Sequence, residues 1–107
     1  MANVVEVTDA TFKTEVLESP EPVLVDFWAP SCPPCLAIAP VVDQLALRYI
    51  GAVKFAKVNT DENRATSTEY GVSAIPTLIF FKNGNAVGSI VGARGKDALA
   101  SFVDQHR

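Results

Sequence analysis

Apolar positions along this chain follow two rhythms: short unbroken runs, and longer stretches in which they return every three or four residues. Val4-Val5-Glu6-Val7 has the length of a short strand. Thr8 and Asp9 then offer helix caps, and Phe12, Val16 and Leu17 recur at helical spacing. Ser19-Pro20-Glu21-Pro22 closes that helix, because proline cannot continue it. Val23 to Trp28 is apolar except for Asp26, the pattern of a strand buried on both faces of a parallel sheet. After Ala29 to Pro34, the residues Cys35, Ile38, Val42, Leu45 and Tyr49 step along one helical face. Pro40 inside that pattern predicts a kink, and Gly51 predicts the stop. Val53 to Val58 reads as another buried strand, and Asp61 to Tyr70 as a short helix rich in Thr and Ser, ended by Gly71. Thr77 to Phe81 is apolar throughout. Asn83-Gly84-Asn85 is a hairpin turn signal, so Ala86 to Val91 is expected to return antiparallel. A last helix follows Gly92 to Gly95, with Ala98, Leu99, Phe102 and Val103 on its inner face.

The order βαβαβαββα predicts an α/β fold of one domain over residues 1–107. A mixed five-stranded sheet lies between four helices, with the Val23–Trp28 strand near its centre. A chain of 107 residues buries about two-thirds of its unfolded surface, enough for a core without staples.

Charge narrows the partners. The formal net charge is −3, and the nine Lys and Arg are scattered along the chain. Nucleic-acid binding needs clustered positive charge, so no nucleic-acid partner is expected. No apolar run approaches the roughly 18 residues of a membrane span, and no membrane partner is expected. Met1-Ala2-Asn3-Val4 does not open a basic-then-apolar leader. The expected setting is the cytoplasm, with the chain a monomer. A mature organellar form that had lost its leader would read the same.

The two cysteines are Cys32 and Cys35. In Cys32-Pro33-Pro34-Cys35 they follow the C-terminal end of the expected central strand, where a helix begins and where open α/β sheets place their sites. Residues i and i+3 of a first helical turn have Cα atoms about 5 Å apart, within disulfide range. The free N–H groups and positive dipole of a helix start favour an anion, hence a thiolate at Cys32, and thiols in such motifs fall well below the free pKa of about 8.5. Cys35, one turn inside, is expected to be less exposed. That asymmetry makes Cys32 the attacker and Cys35 the resolver. The alternatives are inert thiols or a metal clip. Zinc needs four ligands, and the single histidine, His106, falls at an expected frayed terminus. Two chains sharing a metal through four thiolates would suit a proline-locked turn poorly. The expected metal set is therefore none.

Asp26 is the second singular residue. An acid inside Val-Leu-Val-Asp-Phe-Trp is costly to bury, and desolvation raises its pKa. Strand parity puts Leu24, Asp26 and Trp28 on one face, and Val53, Phe55 and Lys57 on one face of the next strand. Asp26 beside the Lys57 stem reads either as a structural ion pair or as a base that removes a proton from Cys35, directly or through a water. Its closeness to the cysteines favours the second. Trp28 is expected to pack beneath the cysteine turn. Pro76 reads equally as the mark of a strand start.

Assembled, these residues resemble the thioredoxin family along essentially the whole chain. The pieces that carry the resemblance are Val25-Asp26-Phe27-Trp28-Ala29, the CxPC motif at 32–35, Pro40, Lys57-Val58-Asn59 with Asp61, Tyr70-Gly71-Val72, Ile75-Pro76-Thr77, Phe81-Lys82-Asn83-Gly84 and Val91-Gly92-Ala93. The resemblance implies a thioredoxin fold and a thiol–disulfide oxidoreductase that reduces protein disulfides, with Asp26 and Lys57 as its proton-transfer pair. It implies a cis Ile75-Pro76 bond facing the disulfide. Trp28, Ser31, Pro34, Ile75, Pro76, Val91, Gly92 and Ala93 would then border the substrate, with strand-like hydrogen bonds from Ile75 and the 91–93 loop. Electrons would come from a partner reductase, with no bound cofactor.

Departures from the family gather at the site. Thioredoxins usually read Trp-Cys-Gly-Pro-Cys-Lys where this chain has Ser31-Cys32-Pro33-Pro34-Cys35-Leu36. Ser31 removes an aromatic flank. Pro33 stiffens the turn and deletes an N–H at the helix start, where proline is tolerated, although a residue before proline resists the helical region. Leu36 puts apolar surface where a cation is usual, and Thr60 and Ala74 stand where an aliphatic residue and a glycine are common. Two other readings follow from these changes. One is a docking module on the same fold with altered or no redox activity; the other is an oxidant or isomerase of higher potential.

Overall fold

The computed structural model describes residues 3–107, so the leader reading at Met1 and Ala2 lies outside the described residues. The expected order of elements is found: β1 (Val4–Glu6), α1 (Lys13–Leu17), β2 (Val23–Trp28), α2 (Pro33–Arg48), β3 (Lys54–Asn59), α3 (Arg64–Glu69), β4 (Thr77–Lys82), β5 (Asn85–Val91) and α4 (Lys96–His106). The sheet runs β1-β3-β2-β4-β5, with β2 in the middle. β3 is parallel to β1 and β2, while β4 is antiparallel to β2 and β5.

Alternation along β2 separates two cores. Leu24 faces one side with Phe55, Leu78 and Phe80, covered by Ile38, Val42 and Leu45 of α2 and Leu99, Phe102 and Val103 of α4. Val23, Val25 and Phe27 face the other, with Phe12, Val16, Ala56, Val58, Ile79 and Phe81. Each fully buried side chain of this size stabilises the fold by about 2–3 kcal/mol relative to exposure. Asp26 shares parity with Leu24. It therefore points into the α2 side of the sheet, beneath the helix that starts at the cysteines.

Three local readings are corrected. Thr8 and Asp9 do not cap α1. That segment is wound wide, with Glu18 N–H reaching the Lys13 carbonyl at 2.9 Å, and its first flanking residue, Phe12, has no side-chain cap. Asp9 instead accepts from Thr66 N at 2.9 Å and Thr66 Oγ1 at 2.6 Å. It thus caps α3 across 57 residues, and these hydrogen bonds, the hydroxyl's first, hold its carboxyl below the usual range. Ala98 is exposed and Ala100 is buried in its place: the two flank the Leu99, Phe102 and Val103 stripe on opposite sides, and the Ala100 side meets α2, where Tyr49 Oη donates to the Ala100 carbonyl at 3.4 Å. His106 is not frayed. Its Nδ1 lies 2.9 Å from the Phe102 carbonyl oxygen and its ring sits 4.6 Å from that of Phe102 and 5.9 Å from that of Phe80. Boundaries moved too: β3 starts at Lys54 rather than Val53, and α3 covers only Arg64–Glu69 of the expected 61–70.

The β4–β5 hairpin turns through Asn83 (φ 54°) and Gly84 (φ 81°), the two positive φ values that a tight hairpin turn requires. Beyond it the register slips, with Phe81 opposite Ala86 and Phe80 opposite Gly88, so Val87 is the extra residue of a bulge. A Cβ at Gly88 would overlap the His106 ring, which makes this glycine the seat of the C-terminal helix. Gly88→Ala is expected to cost about 1–2 kcal/mol by overpacking. In a His106→Ala background most of that cost disappears, a coupling that a urea double-mutant cycle reads directly. Equal costs in both backgrounds would separate Gly88 from the ring.

Candidate active site

β2 delivers the chain to Trp28, and a turn in which Cys32 N–H donates to the Ala29 carbonyl at 3.2 Å leads into α2. Cys32 is the residue flanking the helix, extended at φ −103° and ψ 103°. This resolves the conflict set by Pro33: a residue before proline avoids the helical region, and a capping position does not require it. Pro33 and Pro34 fill the first two helical positions and bring no N–H. The first donor of α2 is then Cys35 N–H, and it points at Cys32 Sγ from 3.2 Å. Leu36 N–H returns to the Cys32 carbonyl at 3.1 Å. The sulfur of Cys32 therefore acts as the helix cap, where an anion is favoured by both hydrogen bond and dipole.

Cys32 and Cys35 are joined in a disulfide with Cα atoms 5.2 Å apart. Cys32 is 8% exposed and Cys35 2%, the expected asymmetry. Trp28 and Ile75 pack against the pair and Ala29. The Ile75-Pro76 bond is cis, and the Ile75 carbonyl oxygen lies 3.8 Å from Cys32 Sγ. Gly92 N–H donates to the Pro76 carbonyl at 2.8 Å, tying the 91–93 loop to the same corner. Ser31, Pro34, Val91 and Ala93 are exposed around it, Gly92 and Ile75 half-buried, and Pro76 buried. The substituted positions have local uses: Thr60 donates its N–H (2.9 Å) and Oγ1 (3.2 Å) to the Trp28 carbonyl, and the Ala74 carbonyl accepts from Thr77 Oγ1. Leu36 is 51% exposed, apolar surface one residue beyond the buried cysteine.

Behind the pair lies a pocket of about 40 Å³ lined by Asp26, Lys57, Cys35, Trp28, Asp43 and Ala39, among others. That volume accommodates a water molecule. Asp26 is 6% exposed, and burial pushes its carboxyl up to about 7, with Lys57 pulling in the opposite direction. Register places the two residues side by side on β2 and β3. They do not close a direct ion pair: Lys57 Nζ lies over the Trp28 ring, 5.2 Å from its centroid. Among the described residues, Asp26 Oδ1 has no hydrogen-bond partner. An acceptor so placed, next to a pocket that opens on Cys35, is suited to take a proton.

Contacts join Cys32, Cys35, Trp28 and Ile75, the pocket joins Asp26 and Lys57 to Cys35, and Gly92 is tied to Pro76; Ser31, Pro34, Val91 and Ala93 are placed only as exposed neighbours in the chain. Two residues were missed. Asp43 lines the pocket, and the signal for it was helical: Cys35, Ala39 and Asp43 follow one another at i+4. Arg94, next to the loop residue Ala93, sets its Nη1 only 3.2 Å from where a Cβ of Gly92 would be. Among the described residues no group of three or more His, Cys, Asp or Glu gathers to hold a metal, and no helix is long and apolar enough to cross a membrane.

Comparison with known proteins agrees with this geometry. The family model for thioredoxin matches residues 3–105. "Thioredoxin 1" of Synechococcus elongatus is 58% identical over 94% of each chain, and "Thioredoxin 1" of Nostoc is 52% identical over 99% of each. "Thioredoxin M-type, chloroplastic" of Pisum sativum is 48% identical over 94% of this chain and 58% of its own length. With a cysteine pair at disulfide distance on the matching fold, the chain belongs to the thioredoxin family of thiol–disulfide oxidoreductases.

Proposed function

We propose that residues 1–107 form one domain that reduces protein disulfides, with Cys32 as nucleophile, Cys35 as resolver and Asp26 as the proton acceptor behind them. The observation that supports this most directly is the placement of Cys32 Sγ. It sits against Cys35 N–H on one side and the Ile75 carbonyl on the other, with Cys35 buried beneath. Cys32 thiolate attacks one sulfur of the substrate disulfide, forming a mixed disulfide and releasing the first substrate thiolate. Asp26, directly or through a water in the pocket, takes the Cys35 proton. Cys35 thiolate then attacks Cys32 Sγ, closes the 32–35 disulfide and releases the second thiolate. The substrate has gained two electrons, which a reductase restores to the pair.

Lys57 holds the pocket's charge balance and steadies Trp28. The Ile75 carbonyl and the 91–93 backbone offer an extended substrate segment its hydrogen bonds, flanked by Ser31, Pro34 and Pro76. The redox group is the cysteine pair itself, and no other cofactor takes part. The chain works as a monomer, without nucleic acid or membrane, in the cytoplasm or in an organelle of the kind that the pea relative's name denotes. Scattered cations and a net charge of −3 support the absence of a nucleic-acid partner.

The test is the potential of the pair, measured by equilibration in graded glutathione or dithiothreitol redox buffers and thiol trapping. A value near the −270 mV typical of thioredoxin is expected. One of about −150 mV or above would make the protein an oxidant, and a pair that never closes would make it a docking module.

A further inference from the structure

The rim of the site is unevenly charged. From Phe27 to Val42 the sequence carries no Asp, Glu, Lys or Arg, and the exposed residues of the first turns of α2 (Pro33, Pro34, Leu36, Ala37 and Pro40) are all apolar. Across the cysteines, the 91–93 loop is tied by Gly92 N–H to Pro76, whose neighbour Ile75 touches Cys32 Sγ. Arg94 lies directly against that loop. Its Nη1 makes one long bond of 3.4 Å to the Ala93 carbonyl, and a guanidinium has five donors. No carboxylate pairs with it among the described residues. Lys96 and Asp97, the next charges along the chain, oppose one another at the start of α4. Asp61, whose N–H donates to Asn59 Oδ1, follows the end of β3. On the loop side, then, the positive end of α2 and the Arg94 guanidinium act in the same sense, with apolar surface opposite.

We propose that Arg94 is a specificity-determining residue that selects disulfides whose flanking segment carries an acidic side chain where it crosses the 91–94 loop. This rests on the reading of Cys32 as the nucleophile and of the loop as the substrate's backbone partner. A segment held on the 91–93 backbone passes Arg94 one residue later, so a Glu or Asp there meets free guanidinium donors. A Lys there meets a like charge, with no acid on the α2 face to offset it. The molecule as a whole is negative, so the preference is local and falls off beyond a Debye length, about 10 Å at 0.1 M salt.

The experiment uses the full chain and three cyclic disulfide peptides, identical except for Glu, Gln or Lys two residues from the attacked cysteine. Reduction is driven by dithiothreitol and followed as kcat/KM. Wild type is expected to favour Glu over Lys by roughly threefold to fivefold, the scale of an exposed ion pair. The Glu/Lys ratio is expected to fall toward one at 0.5 M salt, to reach about one in Arg94→Gln, and to invert in Arg94→Glu. Ratios within one variant cancel any general loss of activity or folding. A wild-type ratio of one, or an Arg94→Glu ratio equal to wild type, overturns the role of Arg94 while leaving the reductase intact. Failure of wild type to reduce any of the three peptides overturns both.

Discussion

Cys35→Ser is expected to turn catalysis into capture. The variant keeps Cys32 at the helix cap, and the serine N–H still faces Cys32 Sγ, since that bond of 3.2 Å comes from the backbone. Attack on a substrate disulfide therefore proceeds, the first substrate thiolate leaves, and the mixed disulfide remains, because the only other thiol in the chain has been removed. Turnover with dithiothreitol falls toward the rate of dithiothreitol alone; with the variant pre-reduced and the reductant removed, a stoichiometric covalent complex accumulates and is visible by non-reducing mass analysis. Cys32→Ser is expected to lose both turnover and capture. The residue left behind is Cys35, 2% exposed under Trp28 and Ile75, where no partner sulfur can reach it in line. Capture by Cys32→Ser and none by Cys35→Ser would exchange the two roles.

Much of this site was legible before any coordinates. The apolar runs marked which strands are covered on both faces, and β2, expected near the centre of the sheet, is central. The cysteine spacing gave the disulfide geometry, and parity placed Asp26 on the α2 side with Leu24. Where the sequence misled, a contact between distant residues had overridden a local signal. Thr8 and Asp9 look like caps for the helix that follows, yet Asp9 serves the start of α3 through Thr66. His106 looks like a loose end, yet it closes over Gly88 in a β5 seat that only the bulge creates. Ala98 and Ala100 are both plausible on an amphipathic face, and which is buried depends on the contact of α4 with α2, where Tyr49 reaches the Ala100 carbonyl. The charge of the rim was half visible: Leu36 announced an apolar flank, but Arg94 gains meaning only when the loop is seen tied to Pro76.

Asp26→Asn is expected to stabilise the protein at high pH and to slow it. Burial lifts the Asp26 carboxyl to about 7 in the folded state, against 3.8 for the free group. Between those values the native protein holds a proton that the unfolded chain releases, so stability falls as pH rises from about 4 to 7 and flattens above. Three units correspond to at most about 4 kcal/mol at pH 8.5, and amide replacement of similar shape removes that titration. The variant is therefore expected to exceed wild type by a few kcal/mol at pH 8.5, with the gap less than half as large at pH 5 and closed below about pH 4; urea denaturation across that range reads it. The gain comes with a functional loss, since Asn cannot accept the Cys35 proton. Resolution of the mixed disulfide is expected to slow by about 10² at pH 7, the low end of general acid–base effects, and the inflection near pH 7 in its rate profile should vanish. Lys57, Asp43 and Cys35 face the same pocket, so Lys57→Met is the control: loss of the cation moves the inflection upward without removing it. Equal stability of Asp26→Asn and wild type at pH 8.5 would mean that the carboxylate is solvated in the fold, and the proton would then have to leave Cys35 by another route.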